Sequence, residues 1–124
     1  MKALHTKSAP AAIGPYSQAI EVNGFVFASG QIPIDPATGE FVEGGIKEQT
    51  RQALTNAAHD MAEAGIDLSH VVKTTVFLAD MADFAAMNEV YSTFFKEPFP
   101  ARSAVAVKAL PKGALVEVEC VAVK

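Results

Sequence analysis

Cysteine is almost missing from this chain: 124 residues contain one, Cys120. A lone thiol excludes an internal disulfide and any metal site built from several cysteines. Histidine is scarce too. His5, His59 and His70 are far apart, with no ligand spacing such as H-x-x-x-H, so no metal is expected. No apolar run reaches 18 residues, and the opening Met1-Lys2-Ala3-Leu4-His5-Thr6-Lys7 is too polar for a signal peptide. A soluble, cytoplasmic protein is the expectation, with no membrane partner. Positive charge is thin: ten Lys and Arg against fourteen Asp and Glu leave a net charge of −4. The densest basic cluster is Lys108 with Lys112, so phosphate backbones are repelled and nucleic acid is not an expected partner. Nucleophile elbow, phosphate loop and dinucleotide fingerprint are all absent, since Gly30, Gly39, Gly44 and Gly45 lack the required spacings.

What is present is the composition of one folded domain, residues 1–124, with 50% hydrophobic and 19% charged residues. The segment Ser8 to Pro15 carries two prolines and a glycine and reads as loop. Ser17–Val22 and Phe25–Ser29 read as strands joined by Asn23-Gly24, a dipeptide suited to a type I′ turn. Gln31–Gly45 reads as a long loop with room for short irregular strands. Ile46–Ala64 has helical spacing: Ile46, Ala53, Leu54, Ala57, Ala58, Met61 and Ala62 form one stripe, and Gly65 is a natural stop. Val71–Ala79 is a strand. Asp80 is suited to cap a second helix over Met81–Phe95, burying Phe84, Met87, Tyr91 and Phe94 or Phe95. Arg102–Val107 and Leu115–Val123 complete the chain around a Leu110-Pro111-Lys112-Gly113 turn. The order β-β-α-β-α-β-β predicts an α+β sandwich in which right-handed crossovers put both helices on one sheet face. The other face lacks a cover, and self-association is the simplest way to supply one.

The last strand alternates. Val116, Val118, Cys120 and Ala122 point toward the helices, while Glu117 and Glu119 share the opposite face, about 7 Å apart. Two carboxylates on one strand face need a reason, because an unpaired buried charge costs several kcal/mol. Arg102, the only arginine outside the first helix, opens the preceding strand. Its guanidinium matches a carboxylate in a bidentate way. Two readings stand side by side: an internal ion pair with Glu117 or Glu119, or a substrate clamp beside a water-holding carboxylate. Tyr16, the Ser29-Gly30 strand end and Asn88 are weaker candidates, each with an ordinary structural explanation. Cys120 reads as a small buried hydrophobe.

Taken together, Ala11 to Gln18, Ser29-Gly30-Gln31-Ile32-Pro33, Val72 to Phe77, Pro100-Ala101-Arg102-Ser103 and Val116 to Glu119 closely resemble the reactive intermediate deaminase A family (RidA, also called YjgF). The likeness runs from about residue 5 to the C-terminus. It implies a chorismate-mutase-like α+β fold with one mixed sheet, assembled as a homotrimer with sites between subunits. It also implies cofactor-free hydrolysis of 2-iminobutanoate and 2-iminopropanoate, species released by pyridoxal-phosphate enzymes, to 2-oxo acids and ammonia. By the same resemblance Arg102 matches the family's essential arginine and Glu117 its water-associated glutamate. Tyr16, Ser29, Gly30 and Asn88 match ligand-lining positions. Relatives often carry a cysteine where this chain has Ala104, so thiol-dependent roles are not expected. Three rival functions remain open from sequence: a non-catalytic trimer that binds small carboxylates, a ribonuclease or translation inhibitor, and a holdase.

Overall fold

The chain is described by a computed structural model covering residues 1–124. Six strands form one mixed sheet: β1 (Lys2–Leu4), β2 (Ala19–Val22), β3 (Phe25–Gln31), β6 (Val71–Leu78), β7 (Ala101–Ala106) and β8 (Val116–Val123). Their spatial order is β1-β2-β3-β8-β6-β7. Two further strands, β4 (Ile34–Asp35) and β5 (Glu40–Phe41), form a small separate hairpin inside the long loop. The helices are α1 (Ile46–Glu63) and α2 (Phe84–Tyr91). Only β6 and β7 run parallel, joined through α2 by the crossover that parallel pairing requires.

The Asn23-Gly24 turn and the Gly65 stop form as expected. Asn23 and Gly24 both take positive φ, +50° and +80°, and Val22 pairs with Phe25 across a two-residue turn. At the start of α1 the Glu48 carboxylate accepts from the Gly45 backbone N–H at 3.0 Å. Gly65, at φ +79°, follows the end of the helix.

Four expectations change. β1 was not foreseen; it pairs antiparallel with β2. β3 extends past Ser29 to Gln31. The second helix is shorter than Met81–Phe95. Asp80 caps a separate 3-10 turn at Met81–Asp83 by accepting from Ala82 N–H at 2.9 Å, and α2 begins only at Phe84. It stops at Tyr91 because the Ser92 and Thr93 hydroxyls each donate, at 2.7 Å, to the Glu89 and Val90 carbonyls. Finally, Ala62 is exposed and Ala58 only half-buried, whereas Gln49, Thr50, Asn56 and Asp60 are buried.

Both helices cover one face of the sheet. The core joins Ala53, Leu54, Ala57 and Met61 of α1 to Met87 and Tyr91 of α2, over Val26, Val76, Val116 and Val118 of the central strands. The opposite face is bare. Phe25 and Phe27 are 42% and 46% exposed there, in the same rows as Val123 and Val121.

Candidate active site

A β-bulge organises the site. Between the pairs Ala28–Cys120 and Gln31–Val118, β3 carries three steps against two on β8, so it holds one extra residue. Ser29 and Gly30 together oppose Glu119. The bulge is held by Ser29, whose N–H donates to the Gln18 carbonyl at 2.9 Å and whose hydroxyl donates to the Ser17 carbonyl at 2.6 Å.

At this bulge opens a cleft of about 640 Å³, lined among others by Ile13, Tyr16, Ser29, Gly30, Glu117 and Glu119. Its outer wall is the N-terminal loop, fastened by Gln18. The Gln18 amide nitrogen donates to the carbonyls of Thr6, Ala9 and Pro10 at 3.0, 3.3 and 2.8 Å, and its oxygen accepts from Thr6 N–H at 2.7 Å. In the same loop the Tyr16 hydroxyl accepts from Ile13 N–H at 3.4 Å.

Glu117 and Glu119 lie on the open sheet face, as the alternation of β8 predicts, while Val116, Val118, Cys120 and Ala122 are buried beneath the helices. The Glu117 carboxylate packs against Gly30 so closely that a Cβ there would stand 2.8 Å from Glu117 Cδ. Burial first, and then the neighbouring Glu119 charge, hold the Glu117 carboxyl above its ordinary value. Behind the cleft floor, Gln31 donates to Asp60 Oδ2 at 2.6 Å, and Asp60 Oδ1 has no partner.

Arg102 is elsewhere. In the β7–β6 register it stands beside Thr74, and Thr74 stands beside Cys120, so it belongs to the rows that face the helices. Glu117 and Glu119 occupy the opposite face. The internal ion pair left open by the sequence therefore does not form: the chain's two ion pairs are Lys47–Glu89 and Lys124–Glu21. Arg102 Nη1 donates to Asn88 Oδ1 at 2.7 Å, and the guanidinium lies over the Tyr91 ring, 4.7 Å from its centroid.

The candidate residues thus fall into two groups within one chain. Tyr16, Ser29, Gly30 and Glu117 line the cleft; Arg102 and Asn88 meet at the far edge, between β7 and α2. Sequence reasoning missed Gln18, Gln31, Asp60 and Tyr91. A glutamine two residues after Tyr16 was visible, but its reach to the loop depends on the fold. Cys120 is buried, its thiol pushed up to about 12 by that burial, so it is no nucleophile at neutral pH. The ring nitrogens of His59 and His70 meet the backbone carbonyls of Ser8 and Val123. No helix is long and apolar enough to cross a membrane.

Fold and cleft define a small α+β protein with an acidic pocket at a sheet bulge and an arginine set apart from it. A family model described as Endoribonuclease L-PSP matches residues 6–124. A RutC family protein of Pyrococcus abyssi is 56% identical over 121 residues, 98% of this chain and 95% of that one. The mouse protein named 2-iminobutanoate/2-iminopropanoate deaminase is 50% identical over 123 residues, 99% of this chain and 91% of its own. The crystal structure of RidA from an Antarctic Psychrobacter matches with a TM-score of 0.96 at 45% identity, covering 100% of both chains. The chain belongs to this family, the one that includes RidA.

Proposed function

We propose that the chain hydrolyses 2-imino acids such as 2-iminobutanoate and 2-iminopropanoate to 2-oxo acids and ammonia, in clefts shared between the copies of a homotrimer. The observation that carries the proposal is the separation of Arg102 from Glu117 on opposite sheet faces, with no carboxylate on Arg102. A guanidinium with unspent donors is suited to grip a substrate carboxylate. It meets the acidic cleft only when the β7 edge of a second copy comes to it. The bare face carrying Phe25 and Phe27 supplies apolar surface for such an assembly. The deaminase name of the mouse relative supports the same chemistry.

In this reading the fork of Arg102 holds the substrate carboxylate and fixes the imine carbon in the cleft. Glu117, its carboxyl held above the ordinary range, accepts a proton from water as the oxygen attacks that carbon. The imine reacts in its protonated, iminium form, so its nitrogen becomes the neutral amine of a tetrahedral carbinolamine. Protonated Glu117 then passes its proton to that nitrogen, the C–N bond breaks as ammonia leaves, and the hydroxyl gives its proton back to the Glu117 carboxylate as it becomes the carbonyl of the 2-oxo acid. Tyr16 and the backbone at Ser29-Gly30 line the path of the departing ammonia. No cofactor enters, because addition and elimination need only one base that can also act as an acid.

The test is ammonia release from freshly generated 2-iminobutanoate, with and without protein. The wild type should accelerate it, and Arg102→Ala should abolish the acceleration while leaving fold and assembly intact. Full activity in Arg102→Ala would end the proposal. Tight binding of 2-oxo acids with no acceleration by the wild type would instead favour a non-catalytic carboxylate-binding trimer.

A further inference from the structure

Arg102 sits on an edge strand, where a long side chain ordinarily samples many rotamers. Here three residues of α2 restrain it. Phe84, Asn88 and Tyr91 are spaced i, i+4, i+7 and so share one helical face. The Asn88 amide oxygen takes one guanidinium N–H at 2.7 Å, the Tyr91 ring lies 4.7 Å below the guanidinium carbon, and the Phe84 ring lies 5.5 Å from it. Tyr91 is itself buried and tethered. Its ring packs at a tilt of 33° against Phe95 with centroids 4.6 Å apart, and its hydroxyl bonds the buried Thr74 hydroxyl at 2.8 Å. Thr74 is the residue paired with Arg102 across the β6–β7 register. The ring beneath the arginine is therefore tied to the strand next to the arginine's own.

We infer that Tyr91, tethered by Thr74, is a positioning residue that holds the Arg102 guanidinium over its ring, with the donors not used by Asn88 free for a carboxylate. The inference rests on the reading of Arg102 as the carboxylate clamp. A cation–π contact uses the charge of the guanidinium and no oxygen acceptor, so the ring organises the fork without competing for its hydrogen bonds. Asn88 satisfies one donor and sets the rotation of the plane. A fork fixed before the ligand arrives loses less rotamer freedom on binding. Such a device acts on ground state and transition state alike and so governs KM rather than kcat.

The experiment measures 2-oxobutanoate binding by calorimetry and imine hydrolysis kinetics in the wild type, Arg102→Ala, Tyr91→Leu and Thr74→Val, with unfolding temperature and assembly recorded for each. Tyr91→Leu should raise both Kd and KM about tenfold, with kcat within about threefold of wild type, the scale of one partly buried cation–π contact. Thr74→Val, which keeps shape and removes the tether, should move the same two constants in the same direction by about threefold, the scale of one modest hydrogen bond. In NMR spectra the Arg102 δ protons should lie upfield in the wild type and lose that ring-current shift in Tyr91→Leu. Unchanged Kd and KM in a folded Tyr91→Leu, with Arg102→Ala inactive, would overturn the positioning role alone. Undiminished 2-oxobutanoate binding in Arg102→Ala would instead remove the clamp reading on which it rests. Should Tyr91→Leu fail to fold, Thr74→Val decides: wild-type Kd, KM and Arg102 δ shifts there would refute the tether.

Discussion

Gly30 makes room for Glu117. With any side chain at position 30, its Cβ would fall 2.8 Å from Glu117 Cδ, inside van der Waals contact, and the carboxylate would have to swing away. The glycine is required here by close approach, because the obstructed atoms are the ones assigned the proton transfers.

Gly30→Ala should therefore fold normally and lose activity. The flexible end of Glu117 can move at little cost to stability, but a base misplaced by about 1 Å costs on the order of a hundredfold in rate. Circular dichroism and the ammonia-release assay check this together. Near-wild-type turnover in a folded Gly30→Ala would mean that the Glu117 carboxylate does not act from this position.

Glu119 raises the Glu117 carboxyl through like-charge repulsion, second to burial. Glu119→Gln removes that repulsion, so the acid limb of the kcat/KM profile, which reports the free enzyme's base, should move to lower pH. An acid limb that stays in place, or moves up, would show that a different group titrates there.

Asp60 gives stability a pH dependence of its own. It is 1% exposed, with one oxygen unbonded, and burial pushes its carboxyl from 3.8 up to about 7. The folded state keeps a proton that the unfolded chain releases near pH 4, so stability falls as pH rises from about 4 to about 7 and then levels. A displacement of about three pH units bounds the loss at about 4 kcal/mol. Asp60→Asn keeps an acceptor for Gln31 and removes the titration. Urea unfolding at pH 5 and pH 8 should then give nearly equal stabilities for the variant and a drop at pH 8 for the parent.

Phe27→Glu puts a charge in the middle of the bare sheet face. Chains so altered should elute as monomers and lose more than about 90% of hydrolysis, because cleft and arginine are then no longer brought together, a loss set by mass action. A Phe27→Glu variant that is monomeric yet fully active would remove the shared-cleft proposal while leaving the chemistry open.

Much of this molecule could be read from local pattern. Asn23-Gly24 reads as a hairpin turn because both residues tolerate positive φ. The alternation of Val116 to Val123 sorts Glu117 and Glu119 onto the open face because the strand period is two. Other features were out of reach of such patterns. The stripe on α1 misassigned Ala58 and Ala62 because alanine carries little preference for burial. What turned the helix was hydrogen bonding: Asn56 donates to the Ile32 and Ile34 carbonyls at 3.2 and 2.9 Å, and Asp60 accepts from Gln31. Neither partner is near in sequence.

Local pattern gave most of the main strands and helices, the two-layer arrangement, the membership of Glu117 and Glu119 in one row, and the residues to watch. These follow from periodicities of 2 and 3.6 and from turn chemistry, which act over a few neighbours. Strand pairing and packing alone put Arg102 across the sheet from Glu117, made a bulge of Ser29-Gly30 at the cleft, and laid Tyr91 under the arginine. Each of those depends on which strands pair and in what register, a choice made by the packing of the whole core.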